Sequence, residues 1–247
     1  MLDSWGSAML PWNPDREGFG MSLKYGFYKI GRRLSRVQVI RSLVPQGLRR
    51  AVQSRLGADL IDQFPDRRYM EAAILPAIAA IGPRRLLDVG VEYYTAHYGR
   101  WFDQSVERWT LDLNPDVVKY GVPGRHIQAN VLDLGRHFEP SSLDVVMMNG
   151  PFGYGIDRVD EQVRTLEVAH GVMRPGGWLL IGWDRAPDGG PLIAAAGARR
   201  RDASDVKDPL ELEIIQTRFE HVGPQGLPAR KEFTDSSHVY DWFQARP

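Results

Sequence analysis

The sequence predicts an α/β fold: a mostly parallel sheet with helices packed on it, an antiparallel strand near the C-terminus and a helical appendage at the N-terminus. Three observations predict it. Between Arg84 and Trp183, short apolar runs alternate with helical stretches, the pattern of strands joined by crossover helices. At 247 residues and 43% apolar content, the chain can bury the core of one large domain or of a domain with an appendage. Residues 18–58 carry nine Lys and Arg but no Asp or Glu, which sets that segment apart from the rest.

Taken in order, residues 1–20 read as an irregular arm anchored by Trp5 and Trp12. Residues 22–57 read as two helices, with Ile30, Leu34, Val37 and Ile40 on one face and Leu48, Val52 and Leu56 on another after Pro45. Met70, Ile74, Ile78 and Ile81 predict a helix over 68–81, kinked at Pro76 and stopped at Gly82-Pro83. Strands are then expected over Arg84–Val89, Arg108–Leu113, His126–Val131, Leu143–Met148 and Trp178–Trp183. Helices are expected over Thr95–Asp103 and Val159–Met173, the second ended by Arg174-Pro175-Gly176-Gly177. Residues 185–209 form a Gly- and Ala-rich connection, and 213–222 with 237–243 form a final antiparallel pair. The domain boundary is placed between an N-terminal arm and basic cap, 1–67, and a sheet domain, 68–247.

Composition narrows the function classes. Without cysteine there are no disulfides, thiolate metal sites or thiol nucleophiles, which fits a reducing cytoplasm. The first ten residues lack the features of a signal peptide, and no run of 18 apolar residues would span a membrane. The 31 basic and 31 acidic residues sum to zero, yet the basic segment leaves 22 basic against 31 acidic residues elsewhere. A +9 appendage therefore faces a −9 remainder, so an anionic acceptor, a second subunit or the protein's own sheet domain are all partners for the basic helices.

In an open parallel sheet, ligands bind beyond the carboxyl ends of the strands. After the first strand comes Asp88-Val89-Gly90-Val91-Glu92-Tyr93-Tyr94-Thr95. Gly90 lets backbone approach a ligand, and Thr95 is placed to cap the following helix. The second strand ends at Asp112-Leu113, about 20 residues beyond Gly90, where a carboxylate can accept both ribose hydroxyls. These features describe a site for a nucleoside-bearing ligand.

From Arg84 to Trp183, about two-fifths of the chain, the sequence resembles the class I S-adenosylmethionine-dependent methyltransferases, whose sheet is Rossmann-like. The segment Val172-Met173-Arg174-Pro175-Gly176-Gly177-Trp178-Leu179 resembles the family's entry to the fifth strand, and Ser142–Gly150 resembles its fourth strand. The resemblance implies S-adenosylmethionine as cofactor. It assigns Asp88, Gly90, Val91, Glu92, Tyr93 and Thr95 to the methionine side, Asp112 and Leu113 to the ribose, Asn130 and Val131 to the adenine, and Asn149 and Gly150 to the place where methionine and acceptor meet. In the glycine-rich turn only Gly90 matches; Glu92 and Tyr94 stand where the family has glycine. A carboxylate there repels a pyrophosphate but tolerates a sulfonium or ammonium, which argues against a dinucleotide.

Methyl transfer needs in-line approach of the acceptor and often a base. Asp157, Asp184 and His170 are the candidates, and no cluster suggests a metal. Asn149-Gly150-Pro151-Phe152 partly resembles the motif with which related enzymes hold planar amino groups; a Gly-rich lid is the preferred reading. The expected acceptor is a small molecule, anionic or a saccharide, methylated at a hydroxyl. A non-catalytic binding protein and an amino-group or nucleic-acid methyltransferase remain alternatives, nucleic acid being disfavoured, and a homodimer is left open.

Overall fold

The structure is a computed structural model that describes residues 64–185 and 205–247, apart from 225 and 235. The expected arm, the basic helices and most of the connection after the fifth strand lie outside the described residues.

Pro65 at the first helical position opens helix α1, which starts three residues earlier than its periodicity suggests. It runs as an α-helical stretch Pro65–Tyr69, a π-helical stretch Met70–Ile74 and an α-helical stretch Leu75–Ile81. Pro76 lacks an N–H for the i−4 carbonyl. The strain is taken up just before it, where the Leu75 N–H reaches five residues back to Met70. The expected kink is thus a π-turn.

Eight strands follow: β1 Arg85–Val89, β2 Glu107–Asp112, β3 His126–Gln128, β4 Leu143–Asn149, β5 Met173–Asp184, β6 Phe219–His221, β7 Arg230–Glu232 and β8 His238–Ala245. The sheet order is β3-β2-β1-β4-β5-β8-β6, with β7 also on β8. β1 to β5 pair in parallel; β8 runs antiparallel to β5, with Asp184 opposite His238. Helix α2 (Val159–Val172) precedes β5, and a short helix α3 (Glu213–Arg218) precedes β6. Arg174–Gly177 loops out between the pair Leu143–Met173 and the pair Val145–Trp178, so the Pro-Gly-Gly element is a bulge at the strand's start.

Three expectations are corrected. The stretch 213–222 is a helix that turns into a three-residue strand. The third strand stops at Gln128, because Asn130 accepts the Leu132 N–H and starts a 3-10 turn. The expected helix over Thr95–Asp103 is a six-residue 3-10 helix, Ala96–Trp101, which Thr95 does not cap.

Period-2 alternation splits the core across the sheet. Leu87, Val89, Val146, Met148, Leu179 and Ile181 pack with Leu166, Ala169 and Val172 of α2. Leu86, Val145, Met147, Leu180, Tyr240 and Trp242 pack with Met70, Ile74, Leu75 and Ile78 of α1. The same alternation carries Asp88, Asn149, Gly182, Asp184 and His238 onto the α1 face, at the carboxyl edge of the parallel strands. Helix α1 begins at this edge and ends at the other. Among the described residues no helix is long and apolar enough to cross a membrane.

Candidate functional site

The carboxyl ends of β1, β2, β4 and β5, the start of β8 and the first turn of α1 converge on one polar edge. Gly90 leaves β1 at φ +93°, and its N–H donates to the Leu111 carbonyl. A Cβ there would lie 2.7 Å from the Asn149 carbonyl oxygen, so the β1 turn crosses β4 with room for backbone only.

Asp112 closes β2. Its Oδ2 accepts the Val91 N–H at 2.9 Å and its Oδ1 accepts the Asn114 N–H at 2.8 Å. These bonds fix the carboxylate and leave each oxygen a further lone pair. Leu113, beside it, is 61% exposed, an apolar platform at the strand end. Thr95 is buried and exchanges hydrogen bonds with Glu92: its Oγ1 accepts the Glu92 N–H and donates to the Glu92 carbonyl, both at 3.0 Å. It holds the turn in shape, which corrects its expected role as a helix cap over a ligand.

Asp88 is 1% exposed, and its Oδ2 accepts from Arg108 at 2.8 Å. Burial pushes its carboxyl pKa up, with Arg108 opposing. Its carboxylate is engaged inside the fold by Arg108. The Asn130 Oδ1 accepts the Leu132 N–H as a cap, and Val131 is buried in the core. Asn149 and Gly150 stand at the expected exit of β4. Phe152 is fully buried in the α2-side core, so its ring is not free to stack on an acceptor.

The three candidates for the base separate. Asp184 lies at the edge, accepting from Tyr154 at 3.0 Å and from Ser237 at 3.1 Å, with His238 Nδ1 at 3.3 Å. Burial opposes its ionisation, but the hydrogen bonds from His238, Tyr154 and Ser237 outweigh it and hold the pKa below the usual value. Asp157 accepts the Gly155 N–H at 3.3 Å, and its own backbone N–H donates to Glu161 Oε2 at 3.2 Å, which ties the Gly-rich loop to α2. His170, at the C-terminal end of α2, is at the opposite edge of the sheet, bonded to the Arg246 carbonyl at 3.1 Å and packed on Phe219. Because α2 runs antiparallel to the strands, that edge is remote from the site, and His170 drops out of it.

Two residues that sequence reasoning missed complete the edge. Arg67 extends from α1, donates through Nη2 to the Tyr94 hydroxyl at 3.3 Å and lies 4.5 Å over the Tyr94 ring. Its side chain is 16% exposed; Nε lies 3.6 Å from the buried Asp66 carboxylate, and neither Nε nor Nη1 makes a hydrogen bond among the described residues. His238 is 6% exposed and bridges Asp184 to Asn149, whose Oδ1 is 3.1 Å from Nε2. Gly182 makes that bridge possible: a Cβ there would collide with Asn149 Oδ1 and lie 2.9 Å from His238 Nε2. Glu92 lies electrostatically between the ends of the site, repelled by Asp112 and attracted by Arg67; burial first, then Asp112, pushes its pKa up.

No family model and no curated protein matches the sequence. Solved structures do. The N-methyltransferase NodS from Bradyrhizobium japonicum WM9 in complex with S-adenosyl-L-homocysteine is 12% identical with a TM-score of 0.52, covering 76% of this chain and 91% of that one. An O-methyltransferase family protein from Burkholderia thailandensis is 17% identical with a TM-score of 0.50, covering 92% of this chain and 70% of that one. At these identities the likeness is one of fold.

Proposed function

We propose that this chain, which has the fold of the class I S-adenosylmethionine-dependent methyltransferases, binds S-adenosylmethionine at the carboxyl edge and methylates a small-molecule acceptor at oxygen. The observation that carries the reading is the order of charge along the edge. Arg67, whose Nε is ion-paired with Asp66 at 3.6 Å, has a buried Nη1 without a hydrogen-bond partner among the described residues at one end, Glu92 feels both Arg67 and Asp112, and Asp112 with exposed Leu113 stands at the other end. S-adenosylmethionine presents a carboxylate, then an ammonium and a sulfonium, then a ribose diol and a purine. The two patterns are complementary.

The residues present fit the cofactor. Arg67 would hold the methionine carboxylate through its buried Nη1, which lacks a hydrogen-bond partner among the described residues. Glu92, whose charge burial disfavours, gains a cationic partner. Asp112 is held by two backbone N–H groups with lone pairs left for ribose hydroxyls. Gly90 keeps the turn low over β4. The departures from the family's glycine turn acquire roles, since Tyr94 stacks on Arg67 and Glu92 supplies charge. When bound, the cofactor supplies an electrophilic methyl group; the chain supplies orientation and exclusion of water.

Oxygen is favoured over a planar amino group by two contacts. The Asn149 Oδ1 that would accept from an amino group is engaged by His238, and Phe152 is locked in the core. A saccharide or another natural-product hydroxyl is the acceptor class proposed. The basic segment that motivated a nucleic-acid reading lies outside the described residues. Titration calorimetry with S-adenosylhomocysteine tests the proposal. One-to-one binding that Arg67→Met and Asp112→Ala each weaken by about tenfold or more, roughly one lost charge-assisted hydrogen bond, supports it. No binding by the native chain refutes it.

A further inference from the structure

We infer that His238 is the catalytic base of the site, oriented by Asp184, and that the acceptor is therefore a hydroxyl that must shed its proton as it attacks. The inference rests on the cofactor reading above and adds a residue to it.

Among the described residues His238 is the histidine at the carboxyl edge. Antiparallel β8 starts where parallel β5 ends, so the register Asp184 to His238 puts the two side chains together on the α1 face. Nδ1 faces the Asp184 carboxylate at 3.3 Å, and Nε2 faces Asn149 at the exit of β4 at 3.1 Å. Asp184 is itself fixed by the Ser237 and Tyr154 hydroxyls. The Tyr240 ring packs edge-on to the imidazole at 4.7 Å, and the Ser236 hydroxyl that accepts the His238 N–H also donates to Asp66. Among the described residues, the charged and titratable groups around the imidazole include Asp184 from β5, Tyr154 from the β4 loop, Tyr240 from β8 and, through Ser236, Asp66 from α1. Both ring nitrogens face acceptors, Asp184 at Nδ1 and Asn149 Oδ1 at Nε2, so Nε2 carries an N–H while Asn149 occupies it; with Asn149 displaced, the Asp184 carboxylate keeps the N–H on Nδ1 and leaves Nε2 as the nitrogen that can take a proton.

The step balances without another reactant. Once Asn149 is displaced and Nε2 has lost its own proton to solvent, the acceptor hydroxyl occupies that place and gives Nε2 its proton. The oxygen then forms a bond to the methyl carbon as the carbon–sulfur bond breaks, and the sulfonium's electron deficit is neutralised as S-adenosylhomocysteine leaves. The proton passes from His238 to solvent. A neutral amine attacks with its own lone pair and sheds its proton afterwards, so it has less need of this base.

Carbethoxylation by diethyl pyrocarbonate, read peptide by peptide by mass spectrometry on the full chain, tests the assignment without knowledge of the acceptor. Exposed His137 is the internal reference. The expectation is that His238 reacts in the folded protein, more slowly than exposed His137, and that saturating S-adenosylhomocysteine slows His238 but not His137. His238→Gln should retain S-adenosylhomocysteine binding by calorimetry. A His238 that stays inert until the protein unfolds overturns the assignment. So does one that the ligand leaves unprotected. Loss of ligand binding in His238→Gln would overturn it by making the residue part of the cofactor site. If the native chain binds no S-adenosylhomocysteine, the cofactor reading fails first, and the base falls with it.

Discussion

Asp88 provides the sharpest stability prediction, because it looks like a ligand residue and is bonded like a structural one. Its carboxylate and the Arg108 guanidinium, with side chains 2% and 11% exposed, meet at 2.8 Å. The Nε of Arg108 is already buried without a partner. Asp88→Ala therefore leaves a buried cation uncompensated, which costs about 3–5 kcal/mol. Burial alone raises the Asp88 pKa despite Arg108, so the pair as a whole stabilises little. Replacing both partners by apolar groups, Asp88→Leu with Arg108→Met, should bring stability back to within about 1–2 kcal/mol of the native chain. Urea unfolding followed by tryptophan fluorescence at constant m measures both. The double variant should still bind S-adenosylhomocysteine within a few-fold. An Asp88→Ala cost below about 1 kcal/mol would refute the buried-pair argument, as would a double variant no better than the single one. A double variant that is stable but does not bind ligand would return Asp88 to the cofactor site.

Other perturbations follow from the same contacts. Burial raises the Glu92 pKa in the fold, so its charge destabilises the ligand-free protein at neutral pH. Glu92→Gln should therefore be the more stable protein in urea at pH 7. Its advantage should vanish as pH falls below the ordinary glutamate range, where both states are protonated, and its affinity for S-adenosylmethionine should drop; an advantage that persists at pH 3.5 refutes the sign. Gly182→Ala places a methyl against Asn149, His238 and Tyr240 and should cost about 1–3 kcal/mol in thermal unfolding; a neutral outcome would mean the bridge is loose. Asp144 accepts the Arg84 and Arg85 N–H groups at 2.8 Å and binds Arg174 Nε at 2.6 Å, all at the amino edge. Asp144→Ala should lose about 2–4 kcal/mol of stability while leaving ligand affinity unchanged, and weakened binding would contradict the separation of the two edges.

The parallel half of the fold was legible because its information is local. Each strand of β1 to β5 is an apolar run closed by turn residues, and Asp112 and Asn149 can be read as strand-end residues from that alone. Arg67 was hidden for a different reason. The boundary drawn at 67/68 cuts through α1, whose start is marked by Pro65 rather than by the apolar periodicity that begins at Met70. His238 was hidden by topology: β8 returns antiparallel beside β5, which joins residues 89 positions apart in the His238–Asn149 bond. No local pattern carries that pairing. An alternating run such as His238-Val239-Tyr240-Asp241-Trp242-Phe243 marks a strand, but not its neighbour. His170 misled because a histidine before β5 looks close to the site in sequence, while the antiparallel course of α2 puts it a full strand length away. Thr95 misled because a Thr before a helix can bond backward as well as forward, and here it closes the Glu92 turn.

The central claim is that this edge is built for S-adenosylmethionine. A crystal structure of the full chain grown with S-adenosylhomocysteine tests it most directly. The account predicts the ligand's carboxylate on Arg67 Nη1, its amino group toward Glu92, its ribose hydroxyls on Asp112, its purine over Leu113 and its sulfur toward Asn149. A ligand that binds elsewhere, or one seated at this edge with Arg67 and Asp112 turned away from it, would contradict the account.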